Sequence, residues 1–193
     1  MIQAGGKSTR MGGRPKALIE LGGRRIIDRV VSVVRGVAAD ALIVTNTPDL
    51  YASIGLPMVP DVFPDHGALG GLYSGLRAAG GDAIFAVACD MPFLVPDVAR
   101  LVIDRAAEAD VVLPRVGERL ETLHACYAKS CLEPMESRLR AGRLRVAGFL
   151  DDVRVLVIPE ADVARFGAPA AIFMNVNTPD ELARARALMV PSW

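Results

Sequence analysis

The chain has 193 residues and a mass of 20.5 kDa, with 52% hydrophobic and 23% charged residues. That size and balance suit one globular domain and exclude a disordered or low-complexity polypeptide. The formal net charge is zero, from 22 basic and 22 acidic residues, which argues against a basic face for nucleic acid. No apolar run reaches the ~20 residues of a membrane span. The start, Met1-Ile2-Gln3-Ala4-Gly5-Gly6, lacks the basic and apolar regions of a leader. Cys89, Cys126 and Cys131 form neither a closed disulfide set nor a zinc spacing, so the expected compartment is the cytoplasm.

In chain order, Ile2–Ala4 reads as a strand stub before a glycine-rich segment. Only three residues precede that segment, a short first strand that a longer native start would extend. The apolar stripe of 25–37 predicts a helix. Ala41–Thr45 and Pro57–Pro60 are strand-like, and Leu69–Ala79 is a helix stopped by Gly80-Gly81. Ala83–Cys89 is a continuous apolar run, as expected for a central parallel strand buried on both faces. Pro96 opens a helix to about Ala109, with Pro in the first turn. Val111–Leu113, Leu123–Ala128, Val153–Ile158 and Ala171–Val176 read as strands. Leu132–Ala141 and Leu144–Leu150 read as helices. Thr178-Pro179-Asp180-Glu181 combines an N-cap Thr, a Pro at N1 and a Glu at N3, and so starts a last helix over about Pro179–Met189. With neither repeat nor linker, the alternation predicts an α/β domain: a mostly parallel sheet with helices on both faces.

Polar residues collect just after these strands: Asn46, Asp61, Asp90, and Asn175 with Asn177. Ligands of open α/β sheets bind outside the carboxyl ends of the strands, so these residues predict one crevice. Each alone is also a turn or cap residue by type. The strongest local feature is Ala4-Gly5-Gly6-Lys7-Ser8-Thr9-Arg10-Met11-Gly12-Gly13-Arg14-Pro15-Lys16. It holds two of the chain's three lysines. Glycines let backbone N–H groups approach phosphate oxygens, and the cations neutralise them. The spacing is neither a Walker A loop nor Gly-x-Gly-x-x-Gly.

This segment resembles the Leu-Ala-Gly-Gly-x-Ser-x-Arg-Met-Gly-x-x-Lys signature of the molybdenum cofactor guanylyltransferases, with Gln3 in place of Leu. The similarity continues through Asp61 and Gly67-Ala68-Leu69-Gly70-Gly71, where Ala68 replaces Pro, and through Cys89-Asp90-Met91-Pro92. It extends to Leu123-His124-Ala125-Cys126-Tyr127 and Asn175-Val176-Asn177-Thr178-Pro179. It implies a single Rossmann-like nucleotidyltransferase domain over 1–193, with 1–114 binding nucleotide and 115–177 binding the acceptor. The implied substrates are GTP and molybdopterin bearing molybdenum, and the implied cofactor is Mg²⁺. The products are pyrophosphate and the guanine dinucleotide form of the cofactor. Partners would be transient, molybdoenzymes or cofactor-insertion proteins, with no nucleic acid and no membrane. A relative using CTP or a sugar-phosphate acceptor, and a non-catalytic nucleotide-binding partner, are the competing readings.

The resemblance also assigns roles. Ala4, Gly5, Gly6 and Gly12 would wrap phosphates, and Lys16 and Arg10 would stabilise charge on them. Asp90 would ligate the metal, and Asp61 and Gly67 would help hold the nucleotide. Asn46 would touch it, while Asn175 and Asn177 would lie near the metal and the acceptor phosphate. His124 is read as structural, with contact to the pterin as the alternative, and Arg143 and Arg145 are candidates for the acceptor phosphate.

Overall fold

The computed structural model describes residues 1–5 and 15–189. Its main sheet contains β1 (Ile2–Gln3), β4 (Ile43–Val44), β5 (Met58–Val59), β6 (Ala83–Ala88), β7 (Val111–Val116), β8 (Arg119–Leu120), β9 (His124–Ala128) and β10 (Val155–Ile158). The order across it is β10-β7-β9-β6-β1-β4-β5, with β8 attached to β7. The pairs β1–β4, β1–β6, β4–β5 and β7–β10 are parallel, whereas β9 runs antiparallel to both β6 and β7. The sheet is therefore mostly parallel, with one reversed strand inside it. That reversal brings the start of β9 alongside the carboxyl end of β6, with His124 opposite Val87.

The helices are α1 (Ile26–Val37), α2 (Gly67–Ala78), α3 (Pro96–Ile103), α4 (Leu132–Arg140), α5 (Glu160–Ala164), α6 (Pro169–Ile172) and α7 (Pro179–Met189). One core joins Ile27, Val30 and Val34 of α1 and Val98 and Val102 of α3 to Ile2, Phe85 and Val87 of the sheet. A second joins Leu69, Leu72 and Leu76 of α2 and Met135 and Leu139 of α4 to Ile84, Ala86, Val111 and Leu113. Successive strand residues go to opposite cores because side chains alternate along a strand. This is why the central apolar runs are continuous, as the sequence predicts.

Three expectations are corrected. Ala171–Val176 is not a strand: Pro169 starts the short α6, and the residues after it run without ladder pairing. Ile172, Phe173 and Val176 are apolar because they fill cores as a buried connection, a composition that imitates a strand. The helix from Pro96 ends at Ile103 and continues only as turns, and 144–150 forms a 3₁₀ segment over Val146–Asp152. The sequence reading also missed a two-stranded hairpin, β2 (Glu20–Leu21) with β3 (Arg24–Arg25). Its turn, Gly22-Gly23, takes φ values of 58° and 73°, the doubly left-handed turn that suits the strand twist.

His124 illustrates how the reversed strand is packed. The imidazole is fully buried, edge-on to Phe85 at 5.1 Å and to Phe173 at 5.0 Å. Neither ring nitrogen has a hydrogen-bond partner among the described residues. Burial pushes its pKa down to about 3 from the ordinary 6.5, so the ring is held neutral. The unfolded chain then binds the extra proton between pH 6.5 and 3, and stability falls as the pH is lowered through that window. We expect His124→Phe to lose this contribution, on the order of 3 kcal/mol at pH 4. Thermal unfolding of both proteins from pH 7 to pH 4 checks it, the variant showing the shallower decline.

Candidate active site

From β1 the chain moves outward to β4 and β5, then crosses back to place β6 on the other side of β1. The gap above the carboxyl ends of β1 and β6 is the switch point at which open α/β sheets leave room for a ligand. A crevice of about 740 Å³ opens there. Ala4 and Gly5 follow β1, Asn46 follows β4, Asp61 follows β5 and Asp90 follows β6, and all five line it. Lys16, Gly67, Asn175 and Asn177 complete its wall. The structure thus brings together these nine candidates, drawn from positions 4 to 177. Gly6, Arg10 and Gly12, like Lys7, lie outside the described residues.

At the crevice floor Lys16 Nζ donates to Asp90 Oδ2 and, at 2.6 Å, to Asn177 Oδ1. The Asp90 side chain is 5% exposed and that of Lys16 23%, so this is a largely desolvated pair. An ammonium has three donors; among the described residues two are committed here, leaving one for a further oxygen. Both partners are fixed from behind. Asp90 O accepts from Val176 N at 3.0 Å, tying the end of β6 to the connection before α7. Asn177 N donates to Glu181 Oε2 at 2.7 Å, and Glu181 N donates to Thr178 Oγ1 at 3.2 Å. The sequence signal for a helix start is therefore realised, and it also sets the lysine's second acceptor. Glu181→Ala is expected to cost about 1 kcal/mol, read as a fall of ~2–4 °C in Tm.

A third, small core connects the same parts. Leu21 and Ile26, on either side of the β2–β3 turn, pack with Val176 and with Ala185 of α7. The hairpin continues from the 3₁₀ turn Lys16–Leu18, so this core clamps the lysine's segment to the segment carrying Asn175 and Asn177.

The opposite wall is organised by Asp61. Its Oδ1 accepts from Phe63 N at 3.0 Å and from Ser74 Oγ at 2.9 Å. The Ser74 hydroxyl also accepts from Val62 N and reaches Gly70 O. Asn46 Oδ1 accepts from Asp61 N at 2.9 Å. A Cβ on Gly70 would stand 2.8 Å from Phe63 O and 3.1 Å from Asp61 Oδ2, so glycine is required there for α2 to approach this turn. Asp61 and Asn46 each spend one oxygen on the loop itself, the turn role that their residue types suggest. Asn46 Nδ2 makes no hydrogen bond to a described residue, which leaves a donor at the crevice wall.

Other expectations fall elsewhere. His124 is core and does not line the crevice. Arg143 and Arg145 are exposed after α4 and do not line it either. Arg119, Arg138, Arg140 and Arg154 are paired with Glu121, Asp152, Glu136 and Asp110. Of residues 115–177, Leu123, Asn175 and Asn177 reach the crevice. Sequence reasoning missed Thr45, Thr47, Tyr51 and Asp65, which also line it. Three of these lie within six residues of Asn46, and Asp65 lies four beyond Asp61, so a wider reading of those strand ends would have found them.

The donors suit a hard cation. Asp90 Oδ1 and Asn175 Oδ1 are oxygen atoms without a hydrogen bond to a described residue; Asn175 Nδ2 turns back to Phe173 O at 3.5 Å. Among the described residues no group of three His, Cys, Asp or Glu converges. A single carboxylate with amide oxygens fits an ion that takes its remaining ligands from substrate phosphates and water, the habit of Mg²⁺.

A strand-end crevice that offers a held ammonium, a carboxylate and amide groups defines a nucleotide-handling transferase site. Residues 1–153 match the family described as MobA-like NTP transferase domain, and the chain belongs to that family. It is an enzyme of the nucleotidyltransferase class. It is 38% identical over 188 residues to a molybdenum cofactor guanylyltransferase of Desulfosudis oleivorans, covering 97% of this chain and 93% of that protein. It is 37% identical over 188 residues to a probable molybdenum cofactor guanylyltransferase of Pelotomaculum thermopropionicum, covering 97% and 91%. The fold superposes on the crystal structure of molybdopterin-guanine dinucleotide biosynthesis protein A from Archaeoglobus fulgidus. There the TM-score is 0.85 at 24% identity, with 97% of this chain and 96% of that one covered. No helix among the described residues is long and apolar enough to cross a membrane.

Proposed function

We infer that the chain transfers GMP from GTP to the terminal phosphate of molybdenum-bearing molybdopterin, forming the guanine dinucleotide cofactor and releasing pyrophosphate. The observation that carries this reading is the Lys16–Asp90–Asn177 cluster at the switch point. Family membership and the names of its relatives supply the nucleotide and the acceptor. The acceptor phosphate is already ionised, so the reaction needs no protein base. Its difficulty is electrostatic, because two anions must meet and a third must leave, and positioned cations and N–H donors meet that need.

The Lys16 ammonium is held by two acceptors and gives its third N–H to a phosphate oxygen of the nucleotide. Holding it this way removes most of the rotamer freedom a lysine would otherwise lose on binding. Asp90 keeps the ammonium in place through Oδ2, and Asp90 with Asn175 would hold a divalent cation. Bound there, Mg²⁺ would neutralise charge on the phosphates undergoing transfer. Ala4 and Gly5 carry the nucleotide toward the glycine segment, and Asn46 offers its amide N–H to the same ligand. Leu123, Asn175 and Asn177 form the acceptor side, which narrows the 115–177 acceptor region to the start of β9 and the connection before α7. Arg143 and Arg145 do not line the crevice and are left out of this assignment.

Pyrophosphate release from purified protein tests the function, with molybdenum-loaded molybdopterin and GTP, CTP or ATP in parallel. Release with GTP alone is expected. Release with CTP alone would move the chain to the cytidylyl branch, and release with none would leave a nucleotide-binding protein without turnover.

A further inference from the structure

Pro48 opens a 3₁₀ segment, Pro48–Ile54, that ends at Gly55 in the left-handed region with φ 66°. Residues three apart share a face in such a helix, and Tyr51 and Ile54 are the two that it buries. Tyr51 is 5% exposed and packs in the core that holds Ala4, Ala17 and Cys89, the chain neighbours of Gly5, Lys16 and Asp90. Helix α2, whose first turn brings Gly67 and Ala68 to the crevice, packs through the other core. Tyr51 therefore approaches the crevice from the side of the charged cluster. A buried phenol usually finds a partner for its hydroxyl. Of the chain's three tyrosines, Tyr127 donates to Thr122 O at 2.7 Å and Tyr73 to Glu136 Oε2 at 2.9 Å. The Tyr51 hydroxyl makes no hydrogen bond to a described residue. Nor is it one of the sealed, unpartnered polar atoms of the interior, so the phenol ends in the crevice that Tyr51 lines. Burial, with the Cys89 thiol close by, pushes its pKa above the ordinary 10, and the hydroxyl keeps its proton at neutral pH.

We propose that Tyr51 is a substrate-binding residue of the transfer reaction: its hydroxyl donates a hydrogen bond to an oxygen of the nucleotide's phosphate chain. The proposal rests on the nucleotidyl-transfer reading for the ligand and not on the choice of base, because every nucleoside triphosphate carries the same chain. A buried side chain whose one polar atom ends unpartnered in a cleft is completed by a ligand. On this side of the cleft the attracting group is the Lys16 ammonium, which draws the anionic part of the nucleotide. A neutral phenol adds a donor for that anion without adding a charge that would repel Lys16 or a divalent cation. The ring is already held by the core, so little rotamer freedom is lost when the ligand arrives. The sugar and the base are the other acceptors in a nucleotide, and the test separates them from the phosphates.

Tyr51→Phe removes one oxygen and keeps the ring in its core. Binding of GTP, CTP, ATP and inorganic triphosphate is measured calorimetrically with Mg²⁺ and without acceptor, alongside Tm. The expected result is a loss of affinity of about tenfold to a hundredfold, the worth of a hydrogen bond to a charged group. The factor should be the same for inorganic triphosphate as for the nucleotide that the parent prefers. Tm should be no lower than that of the parent, since no bond within the protein is broken. A loss confined to the nucleotides would assign the hydroxyl to the sugar or the base and overturn the proposal, as would unchanged affinities. A lower Tm accompanying the loss would assign the hydroxyl to the fold and overturn it as well. A parent that prefers CTP would overturn the guanylyl reading and leave the triphosphate comparison to decide on Tyr51. A parent that binds neither nucleotide nor triphosphate would overturn the transfer reading, and the proposal with it, before the variant is measured.

Discussion

Lys16→Met is expected to lower the turnover number by about 10²–10³-fold, the usual effect of removing one charge-bearing donor from a transition state. The same change should also destabilise the fold, because it strands the buried Asp90 carboxylate. Loss of one partner from a fully buried pair costs ~3–5 kcal/mol. Here Lys16 keeps 23% of its side-chain exposure, so water offsets part of that and ~1–3 kcal/mol is the expected range. Single-turnover kinetics and thermal unfolding read the two effects separately. A variant with parental kinetics would remove Lys16 from the chemistry, whatever its Tm.

Asp90→Asn should act in the opposite proportion. The amide keeps the shape and can still accept from Lys16, so Tm should move little. The anionic oxygen that would hold a cation is gone, and turnover should fall by at least ~10²-fold. Raising the Mg²⁺ or Mn²⁺ concentration should recover part of it if the loss is one of metal affinity. Combining the two substitutions gives a further check. With Asp90 already neutral, Lys16→Met no longer strands a charge, so its stability cost should shrink in the double variant. Additive costs would mean that the pair is not coupled.

The strand-end residues were legible because a switch-point crevice draws on strand ends and the sequence marks them with polar residues after apolar runs. Asp90 after Ala83–Ala88 and Asn46 after Ile43–Val44 illustrate this. The helix start at Thr178 was legible because its capping chemistry is local. The direction of β9 was not, because alternation and apolar runs are the same read either way; only pairing with β6 and β7 decides it. The stretch 171–176 was misread for a related reason, since Ile172, Phe173 and Val176 are buried by packing rather than by a ladder. Gly22-Gly23 was a local signal for a hairpin that the flanking two-residue strands made too short to notice. The partners of Lys16 were each legible singly, but their meeting depends on the small core between the hairpin and α7, which no local pattern records.

That small core has a consequence for biosynthesis. Lys16 leaves the ribosome 161 residues before Asn177, the residue that the following helix steadies. Chains fold as they emerge, so the sheet can assemble around β1 and β6 before the lysine has its second acceptor. A chain interrupted before α7 would retain much of the main sheet while lacking Asn177 and the far side of the clamp. Competence is thereby coupled to synthesis of the segment that carries Asn177 and α7.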